Sequence, residues 1–340
     1  MNPESFPASP RVVILGCGSW GTALGSILAH SASEVTLVGR DREVLEDINS
    51  NGRNERYLPG GKLDPSIRAT DEIASAAEAD IILFAVPSAA TRDVSGKLAC
   101  LSLRPDAILV ACSKGIERGS GKRMSEIIGE ILPAQHLAVL SGPNHAEEVC
   151  KGLATATVIG SRDDAVLSHL QPLFTSPTFR SYTSHDVTGM EWGGAIKNVF
   201  AIASGIASGL GLGDNATSAL VTRGLAEMIR LGTALGGRPD TFTGLSGVGD
   251  LIATCYSNHS RNFRAGISIG KGKTIEETLA ASGMVVEGIP NCQSIHEVAR
   301  RAGVRTPLID TLYSVLYEEK SANAALQELL TRAPRSETEN

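Results

Sequence analysis

The apolar run RVVIL (11–15) passes directly into GCGSWG (16–21), and TALGSILAH follows at 22–30. Three glycines spaced GxGxxG, after a strand and at the opening of a helix, admit few folds. Gly16 serves the tight turn, Gly18 lets backbone approach a pyrophosphate, and Gly21 lets helix and strand pack closely. The helix N-terminus beyond them offers unbonded N–H groups and a positive dipole end to phosphates. This stretch predicts a dinucleotide-binding βαβ unit.

The rest of the first half extends that unit. VTLV (35–38), DIILFAV (80–86), AILVACS (107–113) and LAVLSG (137–142) are nearly continuous in apolar residues, as strands covered on both faces are. Helical patterns at 21–30, 42–50 and 121–132 alternate with them, so the spacing predicts a doubly wound, Rossmann-type α/β sheet. TATVIG (155–160) and FRSYTS (179–184) are expected to extend it in mixed orientation. Beyond about residue 188 strand signals stop. Helices are expected at 190–208, 214–235, 274–283, 290–302 and 306–331, with Asp214 and Asn215 capping the second and Gly236-Gly237 ending it. The resulting division is a leader at 1–10 and a tail at 333–340, both expected to be disordered, around a dinucleotide-binding domain at 11–188 and an all-helical domain at 189–332.

Composition narrows the partners. With 31 basic against 37 acidic residues the chain carries a net charge of −6, which gives no electrostatic footprint for nucleic acid or an anionic membrane. The cysteines Cys17, Cys100, Cys112, Cys150, Cys255 and Cys292 form no CxxC pair and the histidines no HxxxH, so neither a zinc site nor a disulfide framework is indicated. Reduced thiols in a cytoplasmic setting fit them. Residues 192–213 approach the length of a membrane span, but their glycines and alanines, interrupted by Lys197 and Asn198, read instead as a helix buried in protein.

Lys197 is the only charged side chain between Glu191 and Asp214. An ammonium among apolar residues must be paired, solvated or used. Desolvation would also move its proton affinity towards neutrality, as an acid–base group near pH 7 requires. The nucleotide is read at the end of the second strand, where Gly39-Arg40-Asp41 stands. A guanidinium there suits a 2′-phosphate and so NADP(H), while Asp41 keeps NAD(H) as the alternative. Ser113-Lys114-Gly115 and Ser141-Gly142-Pro143-Asn144-His145 close two further strands at the ligand-binding carboxyl edge. In the second half, Asp250 sits amid small residues, and Ser260, Arg261 and Asn262 are suited to a small phosphate at a helix N-terminus.

Together GCGSWGTAL, RYLPG, FAVPS, CSKGIE, SGPNHAEEV, GGAIKNVFAIASGI, GDNATSALVTRGLAEMIRLG, GLSGVGDLIATC, SRNFRAG and VVEG, in order over about residues 11–290, resemble the bacterial-type NAD(P)-dependent glycerol-3-phosphate dehydrogenases. The resemblance implies reversible reduction of dihydroxyacetone phosphate to sn-glycerol 3-phosphate for glycerolipid synthesis, in a homodimer. It implies Lys197 as the catalytic lysine, and Lys114 as a lysine touching cofactor and substrate. Ser19, Trp20, Arg40, Ala146, Arg261, Val285 and Glu287 fall on cofactor contacts; Gly142, Asn144, Asp250, Ser260, Arg261 and Asn262 fall on substrate contacts. Asp250 is expected to orient Lys197 or hold substrate hydroxyls, and Gly193 and Gly194 to let ligands approach the lysine's helix. Asn144-His145 stands where many relatives have Ser-Phe or Thr-Phe, and Phe263 replaces a usual arginine. Two other readings stay open: a β-hydroxyacid dehydrogenase, which would want a carboxylate pocket, and a catalytically silent NADP(H) sensor, which would not need Lys197, Lys114 and Asp250 together.

Overall fold

The apolar runs of the first half become the inner strands of one sheet. In the computed structural model, which describes residues 6–332 and 336, the strands are β1 (Arg11–Leu15), β2 (Glu34–Val38), β3 (Ile67–Thr70), β4 (Ile81–Phe84), β5 (Ile108–Ala111), β6 (His136–Ser141), β7 (Thr155–Gly160) and β8 (Phe179–Ser184). They lie in the order β3-β2-β1-β4-β5-β6-β7-β8. β1 to β6 are parallel, β7 runs antiparallel to β6, and β8 is parallel to β7, so the sheet has the mixed edge expected of its last two strands. β4 and β5 are buried at every position because helices cover both faces. The order reverses between β1 and β4, which opens a crevice at the carboxyl ends of those two strands.

The described residues divide into two compact units: those within 1–114 and 122–187, and those within 115–121 and 188–340. A single cut at 188/189 therefore misses the 115–121 segment. Ile116 is buried in the core of the helical unit, and its N–H donates to Asn291 Oδ1 at 3.2 Å. That core is built from Trp192, Ile196, Phe200, Leu231, Phe242 and Ile295, carried on Val187–Gly209, Gly213–Ala234 and Gly288–Arg301 with shorter helices around them.

Several sequence expectations need correction. The 306–331 pattern is two helices, Pro307–Tyr317 and Ala322–Leu330; Glu319 between them has φ +56°, which a helix cannot contain. Asp214 does not cap its helix: the helix begins at Gly213, with no side-chain cap. At the other end Gly236, at φ +93°, does follow the last turn. Part of the expected leader is ordered. Phe6 stacks on His169 with ring centroids 4.8 Å apart and packs on the core of the first unit. Residues 1–5 and, except for Ser336, the 333–340 tail lie outside the described residues. The structure adds β3 and the helices Thr91–Ala99, Asp164–Leu173 and Asp250–Tyr256, and it extends the helix start expected at 260–262 into Arg261–Gly270. Among the described residues no helix is long and apolar enough to cross a membrane.

Glu227 is the buried charge that ties two helices of the second unit. It is 1% exposed, and its carboxylate accepts from the N–H groups of Leu308 and Ile309, at 3.0 and 2.9 Å, at the start of Pro307–Tyr317. Burial pushes its pKa up to about 7 although both N–H groups favour the anion. The folded value lies above the unfolded one, so the folded chain holds the extra proton between them. Stability therefore falls as pH rises from about 4.5 to 7, by at most about 3 kcal/mol. Glu227→Gln keeps one acceptor and loses the titration. Thermal unfolding across this window should show a flatter pH dependence in the variant; an unchanged slope would remove Glu227 from the account.

Candidate functional site

The first unit builds its cluster around the glycine loop. Gly16 has φ +118°, and a Cβ there would stand 2.6 Å from the Ala85 carbonyl oxygen after β4. A Cβ at Gly21 would stand 1.9 Å from the Gly16 oxygen, so helix and turn touch backbone to backbone. At Gly18 a Cβ would meet nothing within 4 Å, which leaves the open space that a phosphate needs. The Ser19–Leu28 helix starts there with no side-chain cap on its first N–H groups. Trp20 Nε1 is a buried donor without a partner. An open loop, an uncapped helix N-terminus and an orphaned donor together fit a dinucleotide.

The residues around the loop are held by contacts that sequence reading missed. Asn54 is 1% exposed; its Nδ2 donates to Cys17 O at 2.9 Å and Thr22 Oγ1 at 2.8 Å, which fixes the loop from below. The Ser19 hydroxyl donates to Tyr57 O at 2.6 Å, so its side chain serves the RYLPG segment. Ala146 is buried against Ala23 and Leu58, with Trp20 packed on them. At the end of β2, Arg40 is exposed. The Asp41 carboxylate caps the next helix, accepting from Glu43 N and Val44 N, and pairs with Arg56.

The carboxyl ends of β5 and β6 are joined by Lys114, whose Nζ donates to Gly142 O at 2.9 Å. Gly142 needs φ +152°, and a Cβ there would stand 3.0 Å from the Thr157 Cα. Asn144 is tied down as well: Nδ2 donates to Ala156 O at 2.9 Å and Oδ1 accepts from Thr157 Oγ1 at 3.1 Å. The Asn144 side chain thus ties its turn to β7.

The second unit builds its cluster on Val187–Gly209. Lys197 is 6% exposed and Asp250 2%. Nζ donates to Asp250 Oδ1 and to Thr254 Oγ1, both at 2.7 Å, and the Thr254 hydroxyl donates to Asp250 O at 2.6 Å. The lysine's apolar helix is therefore only half of its surroundings. A carboxylate offsets the cost of burying the ammonium, and a hydroxyl fixes its direction. Asp250 reaches it from the first position of the Asp250–Tyr256 helix, directly after the π-helical turn Leu245–Gly249, a geometry that recurs at functional sites. The missing Cβ of Gly193 makes room for this turn: it would stand 2.6 Å from Ser246 O. The glycine serves protein packing, not the ligand approach expected of it. Thr254 was not singled out from sequence, because a threonine in ATC carries no local signal.

Ser260 caps the Arg261–Gly270 helix, its hydroxyl accepting from Phe263 N at 3.2 Å, and Arg261 is the first residue of that helix. Asn262 is buried, with its amide bonded to Asn198 and to Gly288 N. Val285 is 46% exposed. Glu287 is the residue before the Gly288–Arg301 helix. Burial pushes the Cys17 and Cys255 thiols each up to about 12, which keeps these two protonated.

Comparison with known proteins bears on both units. The family model described as NAD-dependent glycerol-3-phosphate dehydrogenase N-terminus matches residues 11–167, and its C-terminus counterpart matches residues 186–327. A glycerol-3-phosphate dehydrogenase [NAD(P)+] of Carboxydothermus hydrogenoformans is 47% identical over 97% of this chain and 98% of the relative. One of Streptomyces coelicolor is 46% identical over 96% of this chain and 98% of the relative. Among solved structures, a glycerol-3-phosphate dehydrogenase of Coxiella burnetii superposes with a TM-score of 0.92 at 36% identity, covering 96% of this chain and 100% of that one.

Proposed function

The chain belongs to the NAD-dependent glycerol-3-phosphate dehydrogenase family, and on that premise we propose that it reversibly reduces dihydroxyacetone phosphate to sn-glycerol 3-phosphate, with NADP(H) preferred over NAD(H). The observation that carries the reading is the buried Lys197, held by Asp250 and Thr254 at 2.7 Å. When bound, the dinucleotide supplies or takes up the hydride. Lys197 stabilises the oxygen on C2 of the substrate and gives it a proton during reduction; in the oxidative direction it takes that proton back. Asp250 and Thr254 keep Nζ aimed. Arg261 and the N–H groups opening its helix hold the substrate phosphate, so binding energy remote from C2 positions the reacting carbon. Lys114, Gly142 and Asn144 form the substrate-side edge of the first unit; Ser19, Trp20, Arg40, Ala146, Val285 and Glu287 contribute to holding the dinucleotide. A carboxylate substrate is disfavoured because the Ser260–Arg261 helix start is suited to phosphate. Family membership supports a homodimer, a cytoplasmic location and a role in glycerolipid synthesis.

The NADP(H) preference rests on Arg40 and on Asp41 being engaged. With its carboxylate spent on a helix cap and on Arg56, Asp41 is not offered to a ribose hydroxyl, whereas the exposed Arg40 guanidinium is offered to a 2′-phosphate. Arg40→Asp should lower the ratio of kcat/KM with NADPH to that with NADH by about 10- to 100-fold, the worth of hydrogen bonds to a charged group. The assay is reduction of dihydroxyacetone phosphate with each cofactor. Wild-type enzyme inactive on this ketone would sink the reaction, and an unchanged ratio in the variant would sink the cofactor preference.

A further inference from the structure

The chain that leaves β5 does not stay with the sheet. After Lys114 the strap Gly115–Gly121 belongs to the helical unit, and the first unit resumes at Lys122. Three features hold this strap to the Gly288–Arg301 helix. The Ile116 N–H donates to Asn291 Oδ1 at 3.2 Å, and the Ile116 side chain is buried in the helical core. Arg301 Nη1 donates to Gly119 O at 3.5 Å. Gly121 has φ +71°, and a Cβ there would stand 2.6 Å from Val298 Cγ2, so glycine alone suits that place. Asn291, Val298 and Arg301 recur at helical spacing, which puts all three on one face.

Asn291 has a second hold that the other two lack. It is 1% exposed, and its Nδ2 donates to Ala195 O at 3.4 Å, on the helix that carries Lys197. A backbone N–H can only donate and a backbone carbonyl can only accept, so these two contacts fix which way the amide faces. One side chain thus joins the backbone two residues after Lys114 to the backbone two residues before Lys197. Two residues of chain span at most about 7 Å, so an anchored Ile116 limits where Lys114 can stand.

We propose that Asn291 is a positioning residue for Lys114, and that it acts by anchoring the Gly115–Gly121 strap to the helical unit. Enclosed as it is, it works through the strap and not by contact with a ligand. The proposal rests on the reaction, and on the ligand-side place of Lys114, proposed above. It makes a residue of the Gly288–Arg301 helix matter to the grip of a lysine at the end of β5.

Two readouts test it, on variants shown by their thermal midpoints to be folded at the assay temperature. The first is limited trypsin digestion of the whole protein, with mass spectrometry of the cut after Arg118, an exposed residue within the strap. That cut requires the strap to detach. Asn291→Ala leaves the buried Ile116 N–H without its acceptor and should be cut about tenfold faster than wild type. Ile116→Ala loosens the strap from the other side, should do the same, and takes over if Asn291→Ala does not fold. Leu231→Ala, a core change on another helix, should leave the rate near that of wild type, because local opening does not need the whole unit to unfold. The second readout is a double-mutant cycle of Asn291→Ala with Lys114→Ala, read as KM for dihydroxyacetone phosphate, kcat, and the Kd of NADPH. With Lys114 present, Asn291→Ala should raise KM about tenfold and Kd in the same direction, with a smaller change in kcat, as expected for a misplaced binding group. With Lys114 absent it should add little. Effects that multiply would overturn the proposal, as would a cut after Arg118 that is no faster in Asn291→Ala or equally fast in Leu231→Ala. If the wild type fails to reduce the ketone, the assigned reaction falls. The tryptic cut then still decides whether Asn291 anchors the strap, and the cycle read on NADPH Kd decides whether it acts through Lys114.

Discussion

Lys197→Met is expected to lower turnover by about 10²–10⁴ while NADPH binds with near wild-type affinity. Methionine keeps the length and apolar character of the lysine stem and removes only the charged head. What is lost is the proton donor to the developing alkoxide and the charge that stabilises it, and general acid–base catalysis is worth on that order. The cofactor loop belongs to the other unit, where Gly16, Gly18, Gly21 and Asn54 set its shape without any help from Lys197. Steady-state kinetics beside NADPH fluorescence titration separate the two effects. Turnover within a fewfold of wild type would show that another group supplies the proton.

Asp250→Asn should destabilise the folded chain by about 3–5 kcal/mol, because a neutral amide leaves the Lys197 ammonium buried without its counter-charge. The pair is 2.7 Å apart and both members are almost wholly enclosed, so water does not take over from the missing carboxylate. Lys197→Met alone strands the carboxylate in the same way. The double variant Lys197→Met with Asp250→Asn removes both charges and should recover most of the lost stability, since exchanging a buried ion pair for uncharged residues is often neutral or better. Denaturant unfolding of the four proteins measures the coupling. Losses that add, with no recovery in the double variant, would mean that the two groups do not form a pair in solution. Activity would remain low in the double variant, which separates the catalytic role of the pair from its structural cost.

The sheet was legible because its signals are local. Gly16, Gly18 and Gly21 sit between an apolar run and a helical one, and a burial pattern such as that of β4 needs no knowledge of the rest of the chain. Lys197 was legible for a similar reason, as one charge in an apolar helix. Its partners were harder to see. Asp250 and Thr254 lie 53 and 57 residues away, and only folding shows that the Thr254 hydroxyl joins the pair. Glycines carry no label that separates clearance for a ligand from clearance for protein. Gly193 gives clearance to the Ser246 backbone, and Gly205 and Gly266 are two halves of one helix crossing that exists only once both helices are in place. The 306–331 helix failed at Glu319 because no proline or glycine marks the break. The Gly115–Gly121 segment failed because a seven-residue excursion into another unit's core has no compositional trace.

Transfer of deuterium from NADPH labelled at C4 of the nicotinamide tests the central claim most directly. Enzyme, labelled NADPH and dihydroxyacetone phosphate are incubated, and the product is examined by mass spectrometry. Glycerol 3-phosphate carrying one deuterium on C2 is the predicted result, with the yield falling in parallel with turnover in Lys197→Met. Wild-type enzyme that binds NADPH yet forms no glycerol 3-phosphate, or forms it without the label under conditions where either face of the nicotinamide has been deuterated, would contradict the account.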